Sequence, residues 1–406
     1  MPKIKINHMN LKRLPLLPRV IIAIILGVIC GLFFPEWAVR CFVTFNSIFS
    51  HFLSFLIPLI IVGLVTPAIA DIGKGAGKLL LITALIAYGD TIFSGFLSYF
   101  TSVGIFPSLI DRAQAAEAVA TAKELQPFFT IEIPPLLDVM SALITAFVMG
   151  LGIAFFESSN LKKAFDEFRD IIAKTIEVAL IPILPLYIFS IFINMSYSGQ
   201  AWRIIQVFIA IIGVIFLMHI FLLVFQYCIA GLISHRNPFK ALYNMLPAYF
   251  TALGTSSSAA TIPVTLRQVK CNGVSAGIGG FVVPLCATIH LSGSAMKITA
   301  CAVALLIMQG GTIDLAHFAG FILMLGVMMV AAPGVPGGAI MAALGVLQSI
   351  LGFTPEQQAI MIALYITMDS FGTACNVTGD GAIALIVDRI YTGNAPSPVE
   401  SIDQDM

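Results

Sequence analysis

Residues 361–390 read MIALYITMDSFGTACNVTGDGAIALIVDRI, an apolar segment that is long enough to cross a bilayer and gathers its polar side chains on one face. Four of these side chains are spaced at i, i+4, i+7 and i+11, in one stripe along a helix: Asp369, Thr373, Asn376 and Asp380. A carboxylate at the bilayer centre costs about 2.5–3.5 kcal/mol on insertion scales, and the stripe carries two. The stripe is therefore predicted to face protein or water, where it would bind a cation or an ammonium group.

The composition is that of a polytopic membrane protein. The 406 residues are 59% hydrophobic and 10% charged, whereas soluble domains are about 25% charged. Repeated apolar runs of about 20 residues predict an all-α fold that crosses the membrane several times. The net charge is zero and no basic run occurs, which disfavours nucleic acid as a partner. The seven cysteines include no C-x-x-C pair, so we expect small buried side chains rather than disulfides or metal ligands.

The hydropathy pattern predicts eight transmembrane helices and two re-entrant helical hairpins. The eight spans lie near residues 18–34, 41–70, 79–105, 130–157, 171–196, 203–233, 272–308 and 355–390. The hairpins are two further apolar segments, interrupted in the middle, at 241–268 and 312–350. An interrupted segment followed by a span with a polar centre thus occurs twice. Paired broken segments of this kind, arranged as inverted repeats, are typical of a transporter binding site.

Basic residues are concentrated in alternate loops. Those on the N-terminal side of the predicted membrane are Lys74, Lys78, Lys162, Lys163, Arg169, Arg236, Lys240, Arg267 and Lys270. The opposite loops contain Arg40, Arg112, Lys123 and Arg203. The positive-inside rule therefore predicts a cytoplasmic N-terminus, provided that each interrupted segment enters and leaves the membrane by the same side. The long polar connection at 107–129 is then extracellular.

Small and helix-breaking residues interrupt three of the apolar segments. The first break, TSSSAATIP at 255–263, contains hydroxyl residues and a proline, and the second, AAPGVPGG at 331–338, contains three glycines and two prolines. Within the seventh span, Gly293 between Ser292 and Ser294 predicts an unwound turn. Backbone groups freed at membrane depth need a cavity or a ligand to satisfy them. Each break taken alone is also consistent with a kink or a simple turn.

Three motifs in these segments resemble those of one transporter family. SSSAATIPVT at 256–265, APGVPGGAIM at 332–341 and NVTGD at 376–380 occur in that order. They are similar to the two hairpin tips and the last helix of the dicarboxylate/amino acid:cation symporter family, the glutamate transporter homologues. The similarity is close over about 236–390 and extends to the earlier spans only in their number and length. It implies a homotrimer in which a rigid scaffold holds a mobile transport domain that moves like an elevator.

The resemblance also implies how the chain divides between the two domains. The scaffold would contain spans 1 and 2 at 1–78 and spans 4 and 5, with the extracellular loop, at 107–200. The transport domain would contain the third span at 79–106 and the core at 201–390. The remaining residues, 391–406, would form a cytoplasmic tail.

The same resemblance implies a substrate site. Asp369 matches the acid that pairs with the substrate amino group. Thr373 and Asn376 match substrate-binding residues, and Asn376 would lie near the α-carboxylate. The other positions of this pocket correspond to Ser257, Ser258, Ser294 and the backbone of Val335.

Two positions depart from the family pattern in a way that bears on the substrate. Gly372 stands where members that carry acidic substrates have an arginine that clamps a side-chain carboxylate. The other position at which some members place that arginine is Ser256. Without either arginine a second carboxylate is not neutralised, so we predict a small neutral amino acid rather than glutamate or aspartate. Gly372 also leaves volume that could admit a larger side chain.

The resemblance implies sodium sites, and one of them is altered. Asp380 with the carbonyl of Asn376 matches one site, and the Thr288 backbone matches a second that closes with the second hairpin. At the altered site the family has an asparagine and an aspartate, and this chain has His290 and Ser292. The change removes a carboxylate from that site.

The residues around the altered site suggest a different coupling ion. Tyr88 and Thr91 resemble its remaining ligands, with Asp90 between them, and Lys297 lies about one turn further along the seventh span. We hypothesise that a proton or a fixed charge replaces one sodium. His290 would titrate near neutrality, or Lys297 would supply a positive charge that Asp90 balances. The alternative is that Lys297 snorkels to a polar surface and His290 only hydrogen-bonds.

These patterns favour a secondary active symporter, without a cofactor, that carries a small neutral amino acid with Na⁺, H⁺ or both. The alternatives are a symporter of a small dicarboxylate or acidic amino acid, an obligate exchanger, a passive channel and an enzyme. Asp369 disfavours substrates without an amino group, because an unpaired buried carboxylate costs several kcal/mol. Ser258 and His290 with an aspartate could be imagined as a catalytic triad. However, the chain has no H-E-x-x-H pair and no P-loop, and nothing marks an oxyanion hole. The occluding hairpins argue against a passive channel.

Overall fold

The computed structural model describes residues 16–73, 78–110, 125–156, 159–199, 201–332 and 336–392. Across these ranges the chain forms helices joined by turns and loops, and no strand occurs in them. Within the described ranges, six helices are long and apolar enough to cross a membrane, and a bent C-terminal pair brings the number of candidate spans to seven. The predicted all-α membrane fold is therefore confirmed, whereas the arrangement of eight spans with two re-entrant hairpins stays a prediction.

The N-terminal half contains long helices. They are α1 (Leu16–Phe33), α2 (Glu36–Gly73), α3 (Lys78–Leu109), α4 (Val139–Phe155), α5 (Ser159–Thr175), α6 (Ile181–Tyr197) and α7 (Ala201–Ser234). A π-helical turn at Ile176–Leu180 joins α5 to α6 without a break. The helical path that was predicted to begin near residue 171 therefore begins at Ser159. Its first turns are amphipathic and carry ion pairs such as Lys162 with Asp166.

The predicted fourth span begins later than expected. We predicted a span at 130–157, but α4 begins at Val139. Pro134 and Pro135 lack the N–H groups that a helix needs, and a residue before proline avoids the helical region. Asp138 then caps the helix, because its side chain accepts a hydrogen bond from the Ser141 amide at 3.0 Å.

The C-terminal half is built from shorter helices. They are α8 (Pro238–Asn244), α9 (Leu246–Thr255), α10 (Ser258–Cys271), α11 (Ala276–Ile289), α12 (Ser292–Met308), α13 (Leu315–Ala331), α14 (Gly338–Ser349), α15 (Pro355–Thr367) and α16 (Asp369–Thr392). The two interrupted segments are the helix pairs α9 with α10 and α13 with α14, and the members of each pair pack on each other. The first break is narrower than predicted, because helix resumes at Ser258 and continues through Pro263.

The break in the seventh span lies two to three residues before the predicted position. His290 and Leu291 separate α11 from α12, and Gly293 is already helical. Gly293 is required for packing instead: a Cβ there would lie 2.8 Å from Cys375 Cβ and from the Gly372 carbonyl oxygen. The glycine thus allows α12 to approach α16 closely.

The last span is bent where we predicted a continuous helix over 355–390. The axes of α15 and α16 differ by 63°, and Met368 lies at the junction. Asp369 is the first residue of α16, so the polar stripe still lies on one unbroken helix.

The helices pack in two groups. In the first, α1 packs on α6, and α2 packs on α4, α5 and α6. In the second, α3 packs on α12, while α16 is surrounded by α7, α9, α11 and α12. Contacts of α2 with α13 and α14, and of α15 with α1 and α6, connect the groups. Helix α12 is buried almost from end to end, which places its first turn and Lys297 deep in the protein.

Candidate functional site

The polar stripe of α16 meets the first turn of α12. The side-chain oxygen of Asn376 accepts hydrogen bonds from the amides of Gly293, at 2.8 Å, and Ser294, at 3.4 Å. The Asn376 amide group donates to the Ser294 hydroxyl at 3.2 Å. Asn376 therefore satisfies amides that every helix leaves free at its N-terminus, and it fixes α12 against α16.

Asp369 has a partner on each of its carboxylate oxygens. Lys297 Nζ lies 3.1 Å from Oδ1, and the Gly337 amide donates to Oδ2 at 2.9 Å. Lys297 is completely buried, so the alternative in which it snorkels to a polar surface is wrong. Its partner is Asp369 and not Asp90, so the suggestion that Asp90 balances its charge is wrong as well. The ammonium also lies 3.5 Å from the centre of the Tyr365 ring, a cation–π geometry.

Lys297 occupies the volume that we expected beside Gly372. A Cβ at Gly372 would lie 2.7 Å from Lys297 Nζ and 2.8 Å from Cε. The missing side chain at position 372 therefore makes room for the lysine, and the expectation of free volume for a larger substrate is wrong for this state of the protein.

A small cavity of about 30 Å³ lies between the two hairpins, α11, α12 and the α15–α16 junction. Six of the predicted residues line it: Ser258, Thr288, Ser294, Asp369, Thr373 and Asn376. The volume is sufficient for roughly two water molecules and too small for an amino acid. A hydrogen bond of 2.7 Å between the hydroxyls of Ser256 and Ser370 ties the hairpin tip to α16 beside it. The structure thus brings these predicted residues together around one small cavity.

Two predicted substrate residues lie elsewhere or outside the described ranges. Ser257 is the N-cap of α10, and its hydroxyl accepts from the Ala260 amide at 3.3 Å. Val335 falls outside the residues that the structure describes. The next described part of the same hairpin is Gly337, whose amide contacts Asp369 as above.

A second polar cluster lies further along α16. His290 bridges two carboxylates: Nδ1 lies 2.8 Å from Asp380 Oδ1, and Nε2 lies 2.7 Å from Asp90 Oδ2. Gln226 on α7 donates to Asp90 Oδ2 at 2.6 Å and to the Ser292 hydroxyl at 3.2 Å. His290 and Asp380 are buried, whereas the Asp90 side chain keeps 16% of its surface exposed. The break between α11 and α12 places the histidine between the two acids.

This geometry requires an additional proton. A neutral imidazole donates from one ring nitrogen only, yet both nitrogens of His290 face carboxylate oxygens. Either the imidazole is protonated, or one carboxylate is a carboxylic acid that donates to it. In both cases the cluster holds one proton more than a neutral histidine with two carboxylates.

The other predicted ligands of the altered sodium site point elsewhere. The Tyr88 hydroxyl donates to the Leu323 carbonyl at 3.1 Å, and the Thr91 hydroxyl donates to the Ala87 carbonyl in its own helix at 2.8 Å. Instead, the Ser94 hydroxyl reaches this region and donates to the Ser292 carbonyl at 2.8 Å. The hydroxyls of Tyr88 and Thr91 are therefore directed to backbone carbonyls rather than to His290.

Sequence reasoning missed three residues that contact these clusters. Tyr365 donates to or accepts from the Ser294 hydroxyl at 2.9 Å, and it precedes Asp369 by four positions, so the spacing of the stripe could have included it. Gln226 and His219 are isolated polar residues in the apolar helix α7, and this isolation was the sequence feature that could have indicated their polar contacts. His219 is buried, and its Nε2 donates to the Gly293 carbonyl at 3.0 Å.

The imagined catalytic triad is not assembled. Both ring nitrogens of His290 are engaged by Asp90 and Asp380, so neither is available to activate Ser258. A G-x-S-x-G sequence does occur at 273–277. However, Ser275 precedes α11 in a turn between two helices, and its hydroxyl donates to Asp388 at 2.7 Å. That contact, together with the hydrogen bond from the Ser275 amide to the same carboxylate, anchors the start of α11 to α16.

Comparison with known proteins agrees with this arrangement. Residues 16–390 match the sequence profile of the sodium:dicarboxylate symporter family. A serine/threonine transporter, SstT, of Acinetobacter baumannii is 26% identical over 391 residues, which cover 93% of this chain and 97% of that protein. The SstT of Acinetobacter baylyi is 25% identical over 93% of this chain. Excitatory amino acid transporter 4 of Mus musculus is 32% identical over 160 residues, 39% of this chain and 28% of the mouse protein.

The family match covers nearly all of the described chain, and these relatives are transporters rather than enzymes. The chain therefore belongs to the sodium:dicarboxylate symporter family.

Proposed function

We propose that this protein is a secondary active symporter that moves a small neutral amino acid, with serine and threonine as the first substrates to test, across the cell membrane with Na⁺. The observation that carries the proposal is the carboxylate of Asp369 at this small cavity. The other polar side chains lining the cavity are Ser256, Ser258, Thr288, Ser294, Tyr365, Thr373 and Asn376. The carboxylate suits an ammonium group, and neutral donors suit a carboxylate and a small polar side chain. The serine/threonine transporters among the relatives support the same substrate class.

A second candidate substrate is an acidic amino acid or a small dicarboxylate. The observation that favours it is Lys297, whose ammonium lies beside Gly372, where the family's arginine would stand. Against it, Lys297 does not line the cavity, and its ammonium is directed to Asp369, the Met368 carbonyl and the Tyr365 ring. A substrate carboxylate in the cavity would therefore meet hydroxyl and amide groups first, which supports the neutral substrate.

The proposal for ion coupling combines sodium with a proton. Asp380 with the Asn376 carbonyl would bind one Na⁺ as cargo, and the Thr288 backbone a second. The proton required between Asp90, His290 and Asp380 would replace the sodium of the altered site. Asp90 borders an open groove of about 290 Å³ between α3, α7 and α16. This groove supports exchange of the proton between the cluster and the surroundings of the protein. The other ionisable groups close enough to interact with these acids are Cys286, Cys375 and Tyr227.

The transport motion would be that of an elevator in a homotrimer. The packing of the helices in two groups, with the substrate and proton clusters both in the second, supports a scaffold and a transport domain. We keep the predicted orientation, with a cytoplasmic N-terminus and the basic loops on the same side.

Uptake of a radiolabelled panel into proteoliposomes tests the proposal. The panel contains serine, threonine, alanine, aspartate, glutamate and a dicarboxylate, with sodium and proton gradients imposed separately. We expect saturable accumulation of serine or threonine under an inward sodium gradient, increased by an inward proton gradient. Accumulation of the dicarboxylate alone would replace this proposal with the second candidate, and no uptake of any compound under either gradient would overturn both.

A further inference from the structure

The cavity beside Asp369 has a volume of about 30 Å³, which is too small for an amino acid. Asp369 nevertheless has a hydrogen-bonded partner on both oxygens, Lys297 on one side and Gly337 on the other. Gly337 lies at the start of α14, in the second hairpin, with φ at +76°. The second hairpin therefore contacts the site through a carboxylate that an internal ammonium already neutralises.

Two groups besides Asp369 contact the Lys297 ammonium in its observed position. The Met368 carbonyl lies 3.4 Å from Nζ, and the Tyr365 ring centre lies 3.5 Å from it. Neither group depends on Asp369. An ammonium that leaves Asp369 would thus keep a carbonyl and an aromatic face, both of which stabilise a cation in a dry site.

We infer that Lys297 is a tethered counter-ion. Its ammonium pairs with the Asp369 carboxylate when the transporter is empty, and the amino group of the substrate displaces it from that carboxylate. This inference rests on the proposed amino acid transport. Two ammonium groups on one carboxylate repel each other at short range. The substrate and Lys297 therefore compete for the Asp369 carboxylate. This competition makes Lys297 a specificity-determining residue that selects for substrates with an amino group.

The same exchange explains how an empty transport domain could return across the membrane. A buried carboxylate without a counter-charge is costly, and an elevator that returns empty would have to carry Asp369 in that form. Lys297 removes the cost without an ion from solution. Net uptake requires the empty return step, whereas exchange of internal for external substrate does not. The two modes of transport should therefore depend on Lys297 to different degrees.

Reconstituted Lys297→Met protein tests the inference, because methionine keeps much of the length and removes the charge. Radiolabelled serine uptake is measured into empty proteoliposomes, for net uptake, and into proteoliposomes loaded with unlabelled serine, for exchange. We expect net uptake to fall at least tenfold more than exchange, and the apparent affinity for serine to rise because the competitor is gone. Lys174→Met, at an exposed ion pair with Glu177, is the control and should change neither mode by more than twofold.

Gly372→Ala gives an independent variant in which the lysine is retained. Its Cβ would lie 2.7 Å from Lys297 Nζ, so the ammonium must shift from its position beside Asp369. We expect the same separation of net uptake from exchange, to a smaller degree. This variant carries the test if Lys297→Met fails to give a single peak in size-exclusion chromatography.

Two results would be decisive against the inference. If Lys297→Met or Gly372→Ala lowers net uptake and exchange by the same factor, or lowers neither, Lys297 is not a counter-ion for the empty state. The proposed function would survive that result. If the wild-type protein transports no amino acid in either mode, the proposed function fails, and the inference fails with it.

Discussion

Nδ1 of His290 lies 2.8 Å from Oδ1 of Asp380, although 90 positions separate the two residues in the sequence. The contact exists because α11 ends at Ile289 and leaves His290 outside the regular helix, facing α16. Its other ring nitrogen faces Asp90 on α3. The sodium ligand proposed on α16 is thus joined through one imidazole to an acid on another helix, and the charge of either acid affects the other.

Asp90→Asn should remove the requirement for the additional proton. An asparagine amide can donate to Nε2 of a neutral His290, which then donates from Nδ1 to Asp380. We expect serine uptake to retain its dependence on sodium and to lose its stimulation by an inward proton gradient. The control is Asp170→Asn, an exposed acid paired with Arg169. Unchanged stimulation in Asp90→Asn would rule out this cluster as the proton site.

Lys297 and Asp369 should be coupled in stability. Asp369→Asn leaves a buried ammonium without a counter-charge, and breaking a buried pair in this way costs about 3–5 kcal/mol. Lys297→Met leaves the carboxylate unpaired. We expect both single variants to unfold at lower temperature in detergent than the wild type, and the double variant Asp369→Asn/Lys297→Met to recover much of the loss. Additive losses in the double variant would mean that the two charges do not interact.

Gly372→Arg should create an acidic-substrate site only when the lysine is removed. An arginine at position 372 begins with a Cβ 2.7 Å from Lys297 Nζ, so the two cations compete for one volume. We expect Gly372→Arg/Lys297→Ala to bind aspartate and the single Gly372→Arg variant to bind it at least tenfold more weakly. Competition of unlabelled aspartate against labelled serine measures this. Equal inhibition in both variants would show that Lys297 does not fill the arginine position.

Gly293→Ala should destabilise the contact between α12 and α16. The added Cβ would lie 2.8 Å from Cys375 Cβ and from the Gly372 carbonyl, and overpacking of this kind costs about 1–3 kcal/mol. Gly277→Ala is the matched control, because a Cβ there meets no atom within 4 Å. Thermal unfolding of the two purified variants gives the comparison. A Gly293→Ala protein as stable as Gly277→Ala would contradict the described packing.

The sequence predicted the parts of the site that depend on local spacing. The stripe on α16 follows from helical periodicity, and the structure places its residues Asp369, Thr373 and Asn376 at one cavity. The hairpin residue Ser258 reaches the same cavity. These positions were available because hydroxyl and carboxylate residues in an apolar segment are costly unless they face a polar site.

Contacts that depend on the rotation of one helix against another were not predicted. The pairing of Lys297 with Asp369 and of His290 with Asp90 requires the relative positions of α12, α16, α11 and α3, which periodicity within one helix does not contain. The bend at Met368 was missed for a related reason: no proline or glycine lies at that position, and the junction becomes visible only in the packed structure.

The central claim is that Asp369 binds the amino group of the substrate, and one uptake measurement tests it most directly. Wild-type and Asp369→Asn proteoliposomes are given labelled serine or labelled glycerate, which has a hydroxyl in place of the amine, under the same sodium gradient. We predict that the wild type accumulates serine and not glycerate, and that Asp369→Asn loses serine uptake by about 100-fold, the equivalent of roughly 3 kcal/mol. Serine uptake by Asp369→Asn at the wild-type rate would contradict the claim.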